Sequence, residues 1–165
     1  MKTSPARIAE LRNMVAQPKV WVAGEVIAWS DAPGKPGKFE YRAALEVDGT
    51  QPESLLFRAF FAPTRIPGAP DKLSLTLLFS GARILGLDEG DLSGHRNDFG
   101  AGRPYFGQKI GCPHLHTISD DSLDGYAEPL APASHGRLWT QFMLHAKIEG
   151  APGYAAPIYQ LDLLP

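Results

Sequence analysis

Leu73-Ser74-Leu75-Thr76-Leu77-Leu78-Phe79, then Ser80-Gly81, then Arg83-Ile84-Leu85-Gly86-Leu87-Asp88, is the stretch on which the fold turns. Leucine at every second position, with Ser74 and Thr76 between, is the pattern of a strand with one buried and one open face. Gly81 breaks that strand, and residues 83–88 read as the next one. Two strands joined by so short a connection pair antiparallel.

Toward the N-terminus the same grammar repeats. Residues 54–62 form another strand, and Phe39, Tyr41, Ala43, Leu45 and Val47 alternate along the one before it, with Asp48-Gly49 as the turn. Proline and glycine mark residues 31–38 and 63–71 as loops. Val20, Val22, Val26 and Ala28, with Trp21 and Trp29 on the opposite phase, predict a strand with both faces partly covered. Before it, Ser4-Pro5 opens a helix whose face is Ile8, Leu11, Met14 and Val15, ended by Pro18.

Toward the C-terminus, residues 90–111 carry glycines at 90, 94, 100, 102, 107 and 111. Their spacing predicts a long, less ordered loop that edges or gates a site. Residues 112–118 predict a strand, followed by an acidic turn at Asp120, Asp121 and Asp124. Ser134 opens a second helix with Leu138, Trp139, Phe142, Met143 and Ala146 on its apolar face and Gly150 as its stop. Residues 157–163 read as a last extended piece returning to the sheet. The expectation is an α+β fold: a mostly antiparallel β-sheet with an N-terminal and a C-terminal helix, residues 1–165 forming a single domain. A β-barrel or sandwich with appended helices is the alternative.

Composition bounds the function. Hydrophobic residues make up 44% of the 165, enough for a core. Sixteen basic against eighteen acidic residues give a net charge of −2. That argues against a protein that coats nucleic acid, though not against a local basic cleft. A single cysteine excludes an internal disulfide and fits a reducing cytosol. The start lacks a secretory pattern, and no apolar run approaches membrane-helix length. The expectation is a cytoplasmic protein with no membrane association.

The chemistry concentrates in Gly94-His95-Arg96-Asn97-Asp98 and in Gly111-Cys112-Pro113-His114-Leu115-His116-Thr117-Ile118. On an extended strand, Cys112, His114 and His116 point to one side. The candidate catalytic residues are His95, Asn97, His114 and His116. Arg83, Arg96, Arg103 and Lys109 are the candidate substrate-binding residues.

The stretch from about Lys72 to Leu130 resembles a family of small uncharacterised bacterial and phage proteins. The pattern is an alternating apolar strand, Arg83 and Asp88, His95-x-Asn97, a glycine-containing loop, Pro113-His114-Leu115-His116, and Tyr126-Ala127-Glu128-Pro129-Leu130. This chain has Asn97-Asp98 where the family has Asn-Pro, and Tyr126 in place of tryptophan. The resemblance implies a shared site and no particular activity.

Three chemistries fit these residues. His114, His116 and Asp120 have the spacing of the first half of a cupin-like metal motif, able to hold Zn, Fe or Mn with His95 as a further ligand. The cupin glycine falls at Gln108, and no second histidine-bearing strand follows. Alternatively, two histidines act as acid and base on a phosphodiester such as RNA, with the basic residues on the phosphate. This is the RNase-like hydrolase of a bacterial conflict or defence system. The non-enzymatic reading is a phage or defence-linked interaction protein with a protein partner, in which Asp88, Asn97 and the histidines form one satisfied polar network beneath the loop. Gly100-Ala101-Gly102 lacks the third glycine of a dinucleotide fingerprint. Cys112 reads as a small buried thiol, His145 as a core-edge residue and His135 as solvated.

Overall fold

A computed structural model describes residues 3–159. Its elements are α1 (Pro5–Ala16), β1 (Lys19–Trp21), β2 (Ser30–Asp31), β3 (Phe39–Glu46), β4 (Leu55–Ala62), β5 (Lys72–Phe79), β6 (Ala82–Glu89), β7 (His95–Arg96), β8 (Lys109–Ile110), β9 (His114–Thr117), β10 (Tyr126–Pro129), α2 (His135–Ala146) and β11 (Ile148–Glu149). The fold is α+β, with two helices and a mostly antiparallel nine-stranded sheet in the order β10-β9-β6-β5-β4-β3-β1-β11, β2 pairing with β3. Among the described residues, only β1 and β11 pair in parallel. β7 and β8 form a separate ribbon.

The alternation of Leu73, Leu75 and Leu77 sets the two faces. In register with them stand Ala59, Phe57, Leu87 and Leu85, all buried. α1 and α2 cover this face, and Trp21, Phe57, Trp139 and Phe142 meet at the centre as tilted and edge-on aromatic pairs. Sheet and helices share one buried cluster. The other face carries Glu40, Arg42, Arg58, Phe60, Ser74, Thr76, Gly86 and Asp88 and, among the described residues, has no helix over it.

A register shift at Leu77/Leu78 inserts one residue into β6. Ile84 takes the extra place and turns into the core, at 1% exposure. Arg83 therefore faces the open side with Gly86 and Asp88, three and five residues on, which strict alternation could not achieve.

Both helices start as read. Ser4 and Ser134 accept hydrogen bonds from the main-chain N–H groups of Arg7 and Arg137. The end of α2 differs: it stops at Lys147, which takes the left-handed conformation at φ 56°. Gly150 lies beyond β11. The stretch 20–29 also differs from the expected long strand. The chain leaves the sheet after Trp21, turns through Gly24 at φ 94°, and exposes Val20, Val22 and Val26. Residues 157–159 form no strand, and 160–163 lie outside the described residues. Among the described residues, no helix is long and apolar enough to cross a membrane.

Candidate metal centre

β9 is the central element of the site. His114 and His116 flank Leu115, which is 3% exposed in the core, so both imidazoles lie on the open face. β6 stands beside β9, with Asp88 opposite His114 and Gly86 opposite His116. Three donor atoms converge there. His114 Nε2 and His116 Nε2 are 3.0 Å apart. Asp88 Oδ2 is 3.2 Å from His116 Nε2 and 3.9 Å from His114 Nε2.

Main-chain carbonyls fix which ring nitrogens carry protons. His114 Nδ1 lies 2.9 Å from the Gly111 carbonyl oxygen, and His116 Nδ1 lies 3.0 Å from that of Asp124. A carbonyl only accepts, so each Nδ1 must donate. In the neutral rings both Nε2 atoms then carry lone pairs, aimed at each other and at a carboxylate. Three electron-rich atoms at these distances repel unless a cation or a proton lies between them. The triangle with sides 3.0, 3.2 and 3.9 Å has a circumscribed radius of about 2.0 Å, which matches zinc–imidazole and zinc–carboxylate bond lengths. Outer hydrogen bonds that orient ligand imidazoles are the usual companions of such centres. Asp88, His114 and His116 are the residues that could hold a metal.

Burial pushes the Asp88 carboxyl up. Hydrogen bonding to His116, the charge of Arg83, and hydrogen bonds from Ser74 and Arg83 outweigh it and hold Asp88 well below the usual carboxylate range. Ser74 Oγ donates to Oδ1 at 2.6 Å, and an Arg83 Nη donates to Oδ2 at 2.9 Å. Burial pulls His114 below its ordinary value, against the hydrogen bond to Gly111, and charge on His116 adds to the fall. Asp88 is thus ionised and His114 neutral at neutral pH, the states that metal binding requires.

His95 completes the cluster, although about twenty residues separate it from the pair in sequence. Its ring centre is 4.6 Å from that of His116 and 5.8 Å from that of His114. Its Nε2 donates to the Gly125 carbonyl at 3.1 Å, which leaves the lone pair on Nδ1. The other expected residues lie elsewhere. Asp120 is 92% exposed at its side chain and pairs with Arg12 at 2.7 Å. The carboxylate of the triangle is Asp88, so Asp120 is corrected as a ligand. The turn around Ser119 and Ser122 aims Asp120 outward.

The amide of Asn97 is committed to main chain. It donates to the carbonyls of Tyr105 and Ala127 and accepts from the Ala127 N–H at 2.8 Å. In this way Asn97 stands in for a neighbouring strand and closes the β10 edge. The loop carrying it wraps that edge. His95 reaches the open face, while Arg103 goes to the opposite one, bonding Thr117, Ile118 and Glu128 with its guanidinium 4.1 Å from the Tyr126 ring. Gly100, at φ 86°, lies so close to Tyr126 that a Cβ would meet the ring at 2.3 Å.

Of the four expected substrate-binding cations, Arg83 alone reaches the centre. Arg96 is exposed and pairs with Asp98. Lys109 lines a separate cleft of about 450 Å³ that includes Cys112 and none of the three donors. Burial pushes the Cys112 thiol up, so it remains a thiol, 3.4 Å from His114 Nδ1 and on the side away from the triangle. His145 is exposed. His135, expected to be solvated, is half-buried edge-on against Phe61.

No family model, curated protein or solved structure matches this chain.

Proposed function

We propose that the chain is a hydrolase of phosphodiesters that uses a divalent metal held by Asp88, His114 and His116. The convergence of two imidazole nitrogens and one carboxylate around a point about 2 Å from each carries this reading. Two histidines and a carboxylate leave coordination positions open, the requirement for catalysis rather than a closed structural site. Such an ion lowers the pKa of water and neutralises charge on the phosphate.

The chain's own residues supply the rest. Gly111 and Asp124 hold the imidazole orientations through their carbonyls. Arg83 and Ser74 hold the carboxylate. Hydrolysis forms a P–O bond to water, breaks the P–O bond to the leaving oxygen, and passes one proton from water to that oxygen. His95, whose ring centre lies 4.6 Å from that of His116, is placed to carry it. RNA is the phosphodiester that suits the bacterial conflict or defence setting of this reading.

A second reading uses the same side chains without metal. One proton on His116 Nε2 would bridge to His114 at 3.0 Å and Asp88 at 3.2 Å, an acid–base pair of the RNase type.

Elemental analysis of the purified protein, with cobalt substitution, tests the assignment. The expected result is one equivalent of metal, a cobalt spectrum lost in both His114→Ala and His116→Ala, and phosphodiester cleavage abolished by chelator and restored by metal. Asp120→Ala retains the metal. Cleavage that resists chelator but fails in both histidine variants replaces the metal reading with the metal-free one. Folded variants, no metal and no cleavage of RNA, DNA or small phosphodiesters overturn both.

A further inference from the structure

The open face of β4, β5 and β6 ends at Asp88 in a cleft of about 300 Å³, lined by Lys35, Arg58, Phe60, Lys72, Ser74, Thr76, Arg83, Asp88 and Asp91. Four of these side chains are basic and two acidic, a local positive excess in a chain whose net charge is −2. The two guanidiniums are held from the side. Arg58 pairs with Glu40 at 3.2 Å and Arg83 with Asp88 at 2.9 Å. Asp91 accepts hydrogen bonds from the Ser93 side chain and main chain. Lys35 and Lys72 have no carboxylate within ion-pair distance among the described residues. Lys72 acts on Asp91 through charge alone, so four cations lining one concave site point to an anionic ligand.

Phe60 narrows its chemistry. It stands between Glu40 and Ser74 in the sheet register, a half-buried aromatic ring on a face otherwise polar. No core residue requires it there, since Phe57, Ala59 and Phe61 serve the opposite face. Its ring already attracts Lys35, whose Nζ lies 5.1 Å from the ring centre. A flat ring beside cations suits a ligand with both a π surface and a phosphate. The volume, at the lower end for a small-molecule site, fits one such unit rather than a duplex.

We infer that this cleft is a nucleotide subsite, in which Lys35, Lys72 and Arg58 hold a phosphate and Phe60 carries the base. Asp88 belongs to both the cleft and the donor cluster, and Arg83, its ion-pair partner, lines the cleft, so a bound nucleotide lies at the edge of the proposed metal centre. The catalytic use of the subsite rests on the phosphodiesterase reading; nucleotide binding there does not.

The test uses metal-stripped full-length protein, titrated with AMP, ribose 5-phosphate and inorganic phosphate by calorimetry. AMP is expected to bind about tenfold or more tighter than ribose 5-phosphate, the ratio one stacked base supplies. Phe60→Leu abolishes that advantage, and it weakens ribose 5-phosphate far less than AMP, through the lost contact with Lys35. The double variant Lys35→Glu, Lys72→Glu weakens all three ligands by about tenfold or more, as reversal of two charges near an anion demands. Thermal unfolding confirms that each variant is folded. Equal affinities for AMP and ribose 5-phosphate, wild-type binding by the double variant, or no AMP binding at millimolar concentration would each overturn the inference. Metal content, measured separately, decides the metal reading whatever the nucleotide result.

Discussion

Gly86 controls Arg83. Its backbone is covered by the Arg83 guanidinium so closely that a Cβ would lie 2.0–2.3 Å from guanidinium atoms. From this position Arg83 reaches Asp88 at 2.9 Å and Asp124 at 3.5 Å, while Asp124 also receives the His116 proton at its carbonyl. Gly86→Ala needs only the far end of a flexible side chain to move, and glycine in a strand carries an entropic cost that alanine lacks. The expected stability change is below about 1 kcal/mol. The centre should suffer far more, because removing an outer partner of a metal ligand weakens affinity about 10–100-fold. Cobalt titration of the folded variant checks this; an unchanged dissociation constant would show that Arg83 does not position Asp88.

The same residues show what the sequence makes legible. A period of two puts His114 and His116 on one face, and Leu115 between them fixes which face. Asp88 can be read from the sequence only as one member of a polar network with Asn97 and the histidines; its place against their Nε2 atoms arrives through the register of β6 against β9, a relation between strands that local spacing does not encode. Asp120 is close in the chain, yet the turn aims it at Arg12. Asn97 and Arg103 carry polar groups suited to a site. Their placement around the β10 edge, which decides their bonding, depends on how a glycine-rich loop folds.

At the scale of elements, Lys19 joins the two helices. It is 0% exposed, and its ammonium donates to the carbonyls of Val15 and Gln17 at the end of α1 and of Ala146 at the end of α2. A positive charge at two helix C-termini opposes both dipoles and satisfies carbonyls that the helices leave open. Burial, with the charge of Lys147 adding to it, pulls Lys19 from 10.5 to about 8. Lys19→Met should lower stability at neutral pH by about 1–3 kcal/mol, through carbonyls left without donors. Between pH 8 and 10.5 the unfolded chain still holds the lysine proton that the folded one has released, so Lys19 contributes stability that rises with pH across this window. Urea unfolding of wild type and variant over that range checks the sign; a difference between the two curves that falls with pH contradicts the account. The ends of the regular elements were the less legible part. Period and capping residues predict where α1 and α2 begin, whereas α2 ends at a left-handed lysine that no helix-stop residue announces.

At the scale of the whole molecule, both helices close over the same sheet face, and the buried cluster runs without a break from Ile8 in α1 to Ala146 in α2. Trp21 and Trp139 lie inside it, so their fluorescence reports on the packing of sheet against α2. Unfolding should therefore be a single cooperative transition, with coincident tryptophan fluorescence and far-ultraviolet circular dichroism midpoints. Separated midpoints would show that the sheet and helices lose structure independently.

The strict division of the central strands has an evolutionary consequence. Two messages are interleaved along one stretch of chain: Phe57, Ala59, Leu73, Leu75, Leu85, Leu87 and Leu115 spell the scaffold, and Arg58, Phe60, Ser74, Thr76, Gly86, Asp88, His114 and His116 spell the open face. Changes in the second set leave the first untouched. A lineage could rewrite ligand preference by single substitutions at alternate positions without renegotiating how the chain folds.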